Sequence, residues 1–260
     1  MSVILLVLIA AGGSGAVAYS PKPALQRVVI DPGHGGPDHG LRGPGGATEA
    51  RLTLTMAKQL KAYLEKDLGA QVTLTRDEDV NPSQPERTAV ANAQKADVFI
   101  SLHIGAASAL TLGGFCLYLH EIKLQAGLAV MAENSTERID LWSLAQLKHL
   151  PASGLLAEDL KGALSEVLKI PIPPIQSAPL AVLAGVERPA VLVEIGSLTD
   201  RSAEKQWADS GYRDMICRAL VHGLDTWRQR RLTEPAFPNR DADKAKKKKI
   251  DQPKASSKNP

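Results

Sequence analysis

The sequence contains little cysteine, which limits the kinds of site that it can form. Its 260 residues include only two cysteines, Cys116 and Cys217. They lie far apart in the sequence, and their spacing is not that of a thiolate metal site. In an exported protein the two thiols could pair, but the sequence does not give their separation in space. The cysteine content therefore argues against a cysteine-based metal site and leaves a disulfide open.

The central part of the chain also lacks an excess of charge. The formal net charge is +3, and residues 232–260 alone hold eight Lys and Arg against four acidic residues. The rest of the chain is therefore close to neutral and has no electrostatic footprint for nucleic acid. We predict that residues 232–260 form a basic, Lys-rich, disordered tail. Lys246 to Lys249 in this tail could make weak contact with an anionic wall or membrane surface.

The apolar run at the amino terminus is too short to cross a bilayer comfortably. It extends from Val3 to Ala11, and the small residues Ala16 and Ala18 follow at the spacing of a signal-peptide cleavage site, although no Lys or Arg precedes the run. We therefore expect residues 1–20 to be a secretory signal peptide, with an uncleaved N-terminal anchor as the alternative. The protein is then exported, to the periplasm or cell envelope.

Between these two ends, apolar runs alternate with amphipathic patterns. The apolar runs predict strands at 28–30, 71–75, 97–102, 114–119, 180–183 and 190–193, and the amphipathic patterns predict helices at 52–64, 85–96, 155–168 and 211–231. Such alternation is typical of parallel βαβ units. We therefore predict an α/β fold for residues 26–231, with a single open, twisted, mostly parallel sheet flanked by helices. No internal repeat is evident.

Four residues that can bind a metal or transfer a proton lie at the ends of these predicted elements. His34, His103 and Glu194 directly follow apolar runs, and Glu49 begins the first helix behind a Gly/Pro-rich loop. Because ligands of open α/β sheets bind outside the carboxyl ends of the strands, we expect the four side chains to converge. Two imidazoles and a carboxylate form the ligand set of hydrolytic zinc sites, and a second carboxylate can act as a general base.

The motifs around these residues resemble the zinc-dependent N-acetylmuramoyl-L-alanine amidases of bacterial cell walls, of the type that separates daughter cells. The run Val-Ile-Asp-Pro-Gly-His-Gly-Gly at 29–36 is similar to the first motif of this family. The runs at 99–103 and 189–196 are similar to the segments that carry the third metal ligand and the catalytic glutamate. The resemblance extends over nearly the whole predicted domain.

This resemblance implies a metal site and a reaction. Zn²⁺ would be bound by His34, Glu49 and His103, while Glu194 would act as general base and then as general acid. The implied reaction is hydrolysis of the amide bond between N-acetylmuramic acid and L-alanine in peptidoglycan, for wall remodelling or daughter-cell separation. We expect the protein to be a monomer.

The chain departs from the family pattern at two places. Residues 104–106 are Ile-Gly-Ala where the family has Ala-Asn-Ala, and residues 197–200 are Ser-Leu-Thr-Asp where it prefers Phe-Leu-Ser-Asn. Neither change removes a ligand or the base, so both concern substrate fit more than chemistry. The alternatives are a zinc carboxypeptidase acting on wall stem peptides, a non-catalytic wall-binding module of the same fold, and an exported structural domain whose four residues do not converge.

Further expectations concern the surroundings of the site. In some relatives an extra helical segment occludes the zinc until a LytM-type activator binds, and residues 124–149 are a candidate for such a segment. An ordinary helix and loop over the sheet is the alternative. We expect Asp31 to be a loop residue or to orient a metal-bound histidine. Arg76 and Arg87 are expected to form structural ion pairs or caps, and His39 to line the mouth of the site.

Overall fold

The fold is built on one sheet of six strands. The computed structural model describes residues 25–105, 114–122 and 144–233. In chain order the strands are β1 (Arg27–Pro32), β2 (Gln71–Leu74), β3 (Val98–Gly105), β4 (Phe115–His120), β5 (Gln176–Ala178) and β6 (Ala190–Ser197). Across the sheet the strand order is β2-β1-β3-β6-β4-β5.

The sheet is mostly parallel, as the sequence predicts. β1 pairs in parallel with β2 and with β3, and β3 pairs in parallel with β6. β4 runs antiparallel to β6, and β5 is parallel to β4. The carboxyl ends of β2, β1, β3 and β6 therefore lie at the same edge of the sheet. The predicted site residues lie at this carboxyl edge.

Helices cover both faces of the sheet. The helices are α1 (Glu49–Leu68), α2 (Gln84–Ala93), α3 (Leu150–Leu168), α4 (Ala181–Ala184), α5 (Arg201–Ala208) and α6 (Ser210–Thr233). On one face, the apolar sides of α1, α3 and α6 pack with Val28, Ile30 and other strand residues in the larger core. The opposite face carries the smaller core of Val29, Phe99 and Leu192 with α2 and α4.

Helix α1 shows how the sequence pattern leads to this packing. Met56, Leu60 and Leu64 recur every four residues and are fully buried against the sheet. The helix ends at Gly69, which has the left-handed conformation (φ 65°) and whose N–H donates to the Leu64 carbonyl. Glycine is the usual residue at such a C-cap, because it adopts positive φ at little cost.

Two expectations about the region after α3 are wrong or incomplete. The sequence predicts a strand at 180–183, but Ala181–Ala184 form a single helical turn. A four-residue apolar run does not by itself distinguish a strand from a buried helical turn. The strand in this region is β5, whose three residues are polar or small and of which none is fully buried. Helix α5 was not predicted.

The cysteines do not form a disulfide. Both are free and buried. Cys217 lies on α6 in the larger core, whereas Cys116 on β4 alternates with Phe115 and Leu117, which face that core. The side chain of Cys116 therefore points to the opposite face, and the sheet separates the two thiols.

Several predicted segments lie outside the described residues. They include residues 1–20, nearly all of the tail and most of the segment 124–149. In the part of the chain that the structure describes, no helix has the length and apolar character needed to cross a membrane.

We expect Leu60→Ala to destabilise the domain by about 2 to 5 kcal/mol, because it leaves a cavity in the larger core. Leu60 is fully buried. Urea unfolding measures the change, with the exposed Lys58→Ala on the same helix as control. A cost below about 0.5 kcal/mol, which is normal for a surface change, would contradict this packing.

Candidate metal centre

The parallel strands bring the expected residues to one place. Asp31 on β1 is in register with Ser101 on β3, and His34 follows β1 just beyond this point. His103 on β3 is in register with Glu194 on β6. Glu49 reaches the same edge from the first turn of α1. The carboxyl edge therefore collects all four residues, as expected from the positions of the predicted strands.

Glu49 lies between the two imidazoles. Its Oε2 atom is 3.1 Å from His34 Nε2, and its Oε1 atom is 2.9 Å from His103 Nδ1. The backbone N–H groups of Leu41 and Ile104 donate to the same carboxylate, at 3.0 Å each. One nitrogen from each histidine and one oxygen from Glu49 all lie within 4.8 Å of one another. Within the described ranges, this is the group of side chains placed to hold a metal ion.

The charges in this cluster compensate one another. Burial disfavours the ionised form of Glu49, but hydrogen bonds from His103 and His34 outweigh it and hold the pKa of the carboxyl far below its usual range. The hydrogen bond to Glu49 is the main reason that the pKa of His34 is raised to about 9, whereas burial of the ring acts in the opposite direction. The cluster thus combines an ionised carboxylate with imidazole nitrogens, and this donor set suits a divalent cation such as Zn²⁺.

His34 is held in an unusual backbone conformation. Its φ is 61°, in the left-handed region that costs a non-glycine residue about 1 to 3 kcal/mol. Its Nδ1 atom lies 2.9 Å from Asp38 Oδ2, which leaves Nε2 directed at Glu49. Asp38, rather than Asp31, is therefore the acceptor that orients this ring. The only sequence signal for Asp38 is its position four residues after His34 in the same Gly/Pro-rich turn.

Asp31 has a different role, because it is a buried carboxylate that balances the charge of Arg87 next to the turn that carries His34. It is fully buried and accepts hydrogen bonds from Arg87 Nη1 (2.7 Å), Thr75 Oγ1 (2.5 Å) and Ser101 Oγ (2.7 Å). Arg87 in turn donates to the carbonyls of Pro32 and His34, at 2.9 Å each. The Asp31–Arg87 ion pair thereby fixes the backbone on both sides of Gly33.

Arg76 completes this support from the end of β2. It donates to the carbonyls of Pro32 (2.9 Å), Gly33 (2.8 Å) and Ala50 (2.8 Å). The first two carbonyls belong to the turn that carries His34, and the third to the first turn of α1 beside Glu49. Arg76 thus connects the segments that carry His34 and Glu49, in line with the structural role expected for it and for Arg87.

Gly33 allows the two histidines to approach. A Cβ atom at this position would lie 2.4 Å from Cε1 of the His103 ring, closer than real side-chain atoms come. The rings of His34 and His103 meet edge to face, with centroids 5.0 Å apart. A side chain at position 33 would push His103 away from Glu49.

Glu194 lies beside the group formed by His34, Glu49 and His103 but is not part of it. Burial, aided by the negative charge of Glu49, raises the pKa of Glu194 to about 7, although the nearby histidines oppose this. Its Oε2 atom is buried and has no hydrogen-bond partner among the described residues. A carboxyl with a raised pKa and an unpartnered oxygen is a typical candidate for proton transfer.

The remaining histidines are not part of the metal-binding group. His39 is partly buried, and its backbone carbonyl accepts a hydrogen bond from the N–H of Ala50. His120 is largely buried at the end of β4, where desolvation lowers its pKa, and His222 on α6 is exposed.

Fold and site together define a class of protein. Two histidines and a glutamate at the carboxyl edge of a mainly parallel sheet could hold a metal ion, and with a separate carboxyl beside them they form an arrangement typical of metal-dependent hydrolases. The chain belongs to the N-acetylmuramoyl-L-alanine amidase family Amidase_3, which it matches over residues 28–226.

Individual relatives agree with this assignment. The chain is 28% identical to the amidase AmiC of Neisseria meningitidis over 80% of its own length and 55% of the relative. It is 31% identical to the probable amidase AmiB of Haemophilus influenzae over 80% of its length and 53% of that protein. The solved structure of AmiC2 of Nostoc punctiforme superposes on this chain with a TM-score of 0.61 at 27% sequence identity. The match covers 79% of this chain and 98% of the AmiC2 chain. The chain thus spans about half the length of these curated relatives.

Asp31→Ala is expected to cost about 3 to 5 kcal/mol of stability, because it leaves the buried charge of Arg87 without its partner. The free energy of unfolding in urea measures this loss, and Asp77→Ala, at an exposed position after β2, is the matched control. If both variants unfold at the same urea concentration, the ion pair does not support the turn as described.

Proposed function

We propose that this protein is a zinc-dependent N-acetylmuramoyl-L-alanine amidase, which hydrolyses the amide bond between N-acetylmuramic acid and L-alanine in peptidoglycan. One observation carries the proposal: His34, Glu49 and His103 form a compact donor group, and Glu194 lies beside it in register with His103. The family match supports the choice of substrate.

The donor set supports zinc as the metal. His34 and His103 would supply nitrogen ligands and Glu49 an oxygen ligand, which is the pattern of catalytic sites that keep one position open for water or substrate. Bound Zn²⁺ supplies a Lewis acid that lowers the pKa of water and polarises a carbonyl group. Asp38 would hold His34 with Nε2 directed at the metal, as acceptors of this kind commonly do.

Glu194 would carry the proton in this reaction. Its carboxylate would accept a proton from the attacking water and then donate it to the departing nitrogen of L-alanine. The unpartnered Oε2 atom supports this role, because an oxygen already engaged by the protein would have to lose that bond first. Hydrolysis of this amide bond leaves a carboxylate on muramic acid and a free amino terminus on the stem peptide.

The enzyme would act outside the cytoplasmic membrane. Peptidoglycan lies outside the cytoplasmic membrane, so the enzyme would be exported to the periplasm or cell envelope, with residues 1–20 as signal peptide or anchor. The basic residues 232–260 would add weak contact with the wall or the membrane surface. The biological role would be wall remodelling or daughter-cell separation.

Regulation by a LytM-type activator is also proposed, with residues 124–149 as the segment that restrains the site. The end of β4 lies near the start of β6, because Tyr118 is in register with Leu192, and Gln146 donates to the carbonyls of Val186 and Arg188 just before β6. Both described flanks therefore lie at the amino edge of β6, opposite the cluster, so the segment would have to extend along the sheet to reach the site.

Replacing residues 124–143 by a short Gly/Ser linker, which keeps Gln146 in place, is expected to raise the basal rate on purified peptidoglycan. Release of stem peptides is measured without any partner protein, and zinc content serves as the control for an intact site. A basal rate equal to that of the unaltered protein would contradict autoinhibition by this segment.

Glu194→Gln is expected to keep one zinc ion per chain and to lose about 10²- to 10⁴-fold in hydrolysis rate, the usual contribution of a general acid–base group. The measurement is release of stem peptides from purified peptidoglycan, with identification of the new amino terminus. Glu187→Gln, at an exposed position shortly before β6, should behave like the unaltered protein.

The product and the metal content separate the alternatives. New L-alanine amino termini identify an amidase, whereas release of a C-terminal amino acid identifies a carboxypeptidase. If the unaltered protein and Glu194→Gln both bind peptidoglycan and neither hydrolyses it, the protein is instead a wall-binding module.

A further inference from the structure

The loop in front of Glu49 is closed upon itself. Arg42 and Thr48 form an isolated antiparallel bridge across its base. Within it, the N–H of Gly43 donates to the Ala47 carbonyl (2.8 Å) and the N–H of Gly46 to the Gly43 carbonyl (3.0 Å). We call residues 41–48 the ligand loop, because it leads directly into Glu49.

The ligand loop touches Glu49 at the oxygen that faces His34. The N–H of Leu41 donates to Glu49 Oε2 at 3.0 Å, and the N–H of Glu49 donates to the Leu41 carbonyl at 2.9 Å. Oε2 is also the atom that lies 3.1 Å from His34 Nε2. The position of the loop therefore helps to set the orientation of this carboxylate.

A distant carboxylate holds the tip of this loop. Glu204 on α5 accepts from the backbone N–H of Gly45 through Oε2 (2.5 Å) and from that of Ala47 through Oε1 (2.7 Å). Hydrogen bonds to an ionised acceptor are stronger than neutral ones, and two of them fix both position and orientation. Glu204 is thus bound to the loop in the manner of an anion in a backbone cradle.

The glycines of the loop tip make this approach possible. A Cβ atom at Gly43 would lie 2.8 Å from the Glu204 carboxyl carbon, and one at Gly45 would lie 2.7 Å from Oε2. Larger residues here would displace the carboxylate. The Gly/Pro-rich composition of the loop therefore has a specific partner in Glu204.

Helix α5 is itself fixed to the strand that carries Glu194. Trp207 on α5 is 2% exposed and donates from Nε1 to the carbonyl of Ser197, the last residue of β6, at 3.0 Å. Asp200 caps the helix by accepting from the N–H groups of Ser202 and Ala203. Glu204 therefore joins the segment that ends β6 to the segment that begins α1.

We propose that Glu204 is a positioning residue for the metal site. Through the N–H groups of Gly45 and Ala47 it holds the ligand loop, and through Leu41 the loop holds Glu49 in the orientation that binds the metal. This inference rests on the proposed function, because that function supplies the metal. The hydrogen bonds from which it is argued are contacts between residues of this chain.

The test compares zinc affinities of the full chain, measured by competition with a chelating dye. Glu204→Ala removes both acceptors, and we expect the dissociation constant for Zn²⁺ to rise about 10- to 100-fold, the usual effect of losing support behind a metal ligand. Glu204→Gln keeps one acceptor oxygen and should show a smaller rise.

Two control variants separate positioning from general destabilisation. Lys205→Gln changes the charge of the neighbouring residue on α5 and should leave zinc affinity within twofold. Asp200→Ala removes the cap of α5 without touching the loop, so the melting temperature of the metal-free protein should fall while zinc affinity stays within twofold.

The outcomes are distinct. Weakened zinc binding in the Glu204 variants, with both controls unchanged, supports the inference. Zinc affinity of Glu204→Ala equal to that of the unaltered protein overturns it, and so does an equal loss in Asp200→Ala. Failure of the unaltered protein to bind zinc would instead overturn the proposed function and, with it, this inference.

Discussion

The structure around the site depends on one carboxylate, that of Glu49, which is bonded on both sides by imidazole nitrogens. A buried carboxylate is costly unless it is paired and hydrogen-bonded. Glu49 meets this condition with two histidines and two backbone N–H groups. Its place in the first turn of α1 adds the favourable field of a helix N-terminus. These partners come from three parts of the chain, the turn of His34, the loop at Leu41 and the end of β3, so three separate segments must be correctly placed around this carboxylate.

The turn that carries His34 shows how this agreement is reached. A non-glycine residue with positive φ needs surroundings that hold it there. Here Arg76 and Arg87 bind the successive carbonyls of Pro32, Gly33 and His34, and Asp31 offsets the charge of Arg87. Such a network stabilises one geometry strongly, since removing one partner leaves another buried and unpaired. The conformation of the turn that carries His34 is thus held by a buried network of polar groups.

The sequence predicts much of this arrangement. Runs such as Val98 to Leu102 are apolar on both faces, which is typical of strands buried between helices, and the ends of such strands meet at one edge of a parallel sheet. The positions of His34, His103 and Glu194 follow from these two facts. Glu49 could be included because it begins an amphipathic helix directly after a Gly/Pro-rich loop.

Other features depend on contacts that no local pattern contains. Asp38 and Glu204 act through hydrogen bonds to a ring or to backbone N–H groups, and Glu204 reaches its partners across more than 150 residues. The reversed direction of β4 is set by its pairing with β6 and not by its own composition. The turn at Ala181–Ala184 is short, so its apolar residues carry no period that distinguishes it from a strand.

X-ray absorption at the zinc edge of the zinc-loaded protein tests the central claim most directly, because it reports the ligands of the metal. The account predicts two histidine nitrogens at about 2.0 to 2.1 Å and a carboxylate oxygen at about 2.0 to 2.2 Å. The signal should be lost or rearranged in Glu49→Ala. A sulfur ligand at about 2.3 Å, or a spectrum unchanged in that variant, would contradict the site described for His34, Glu49 and His103.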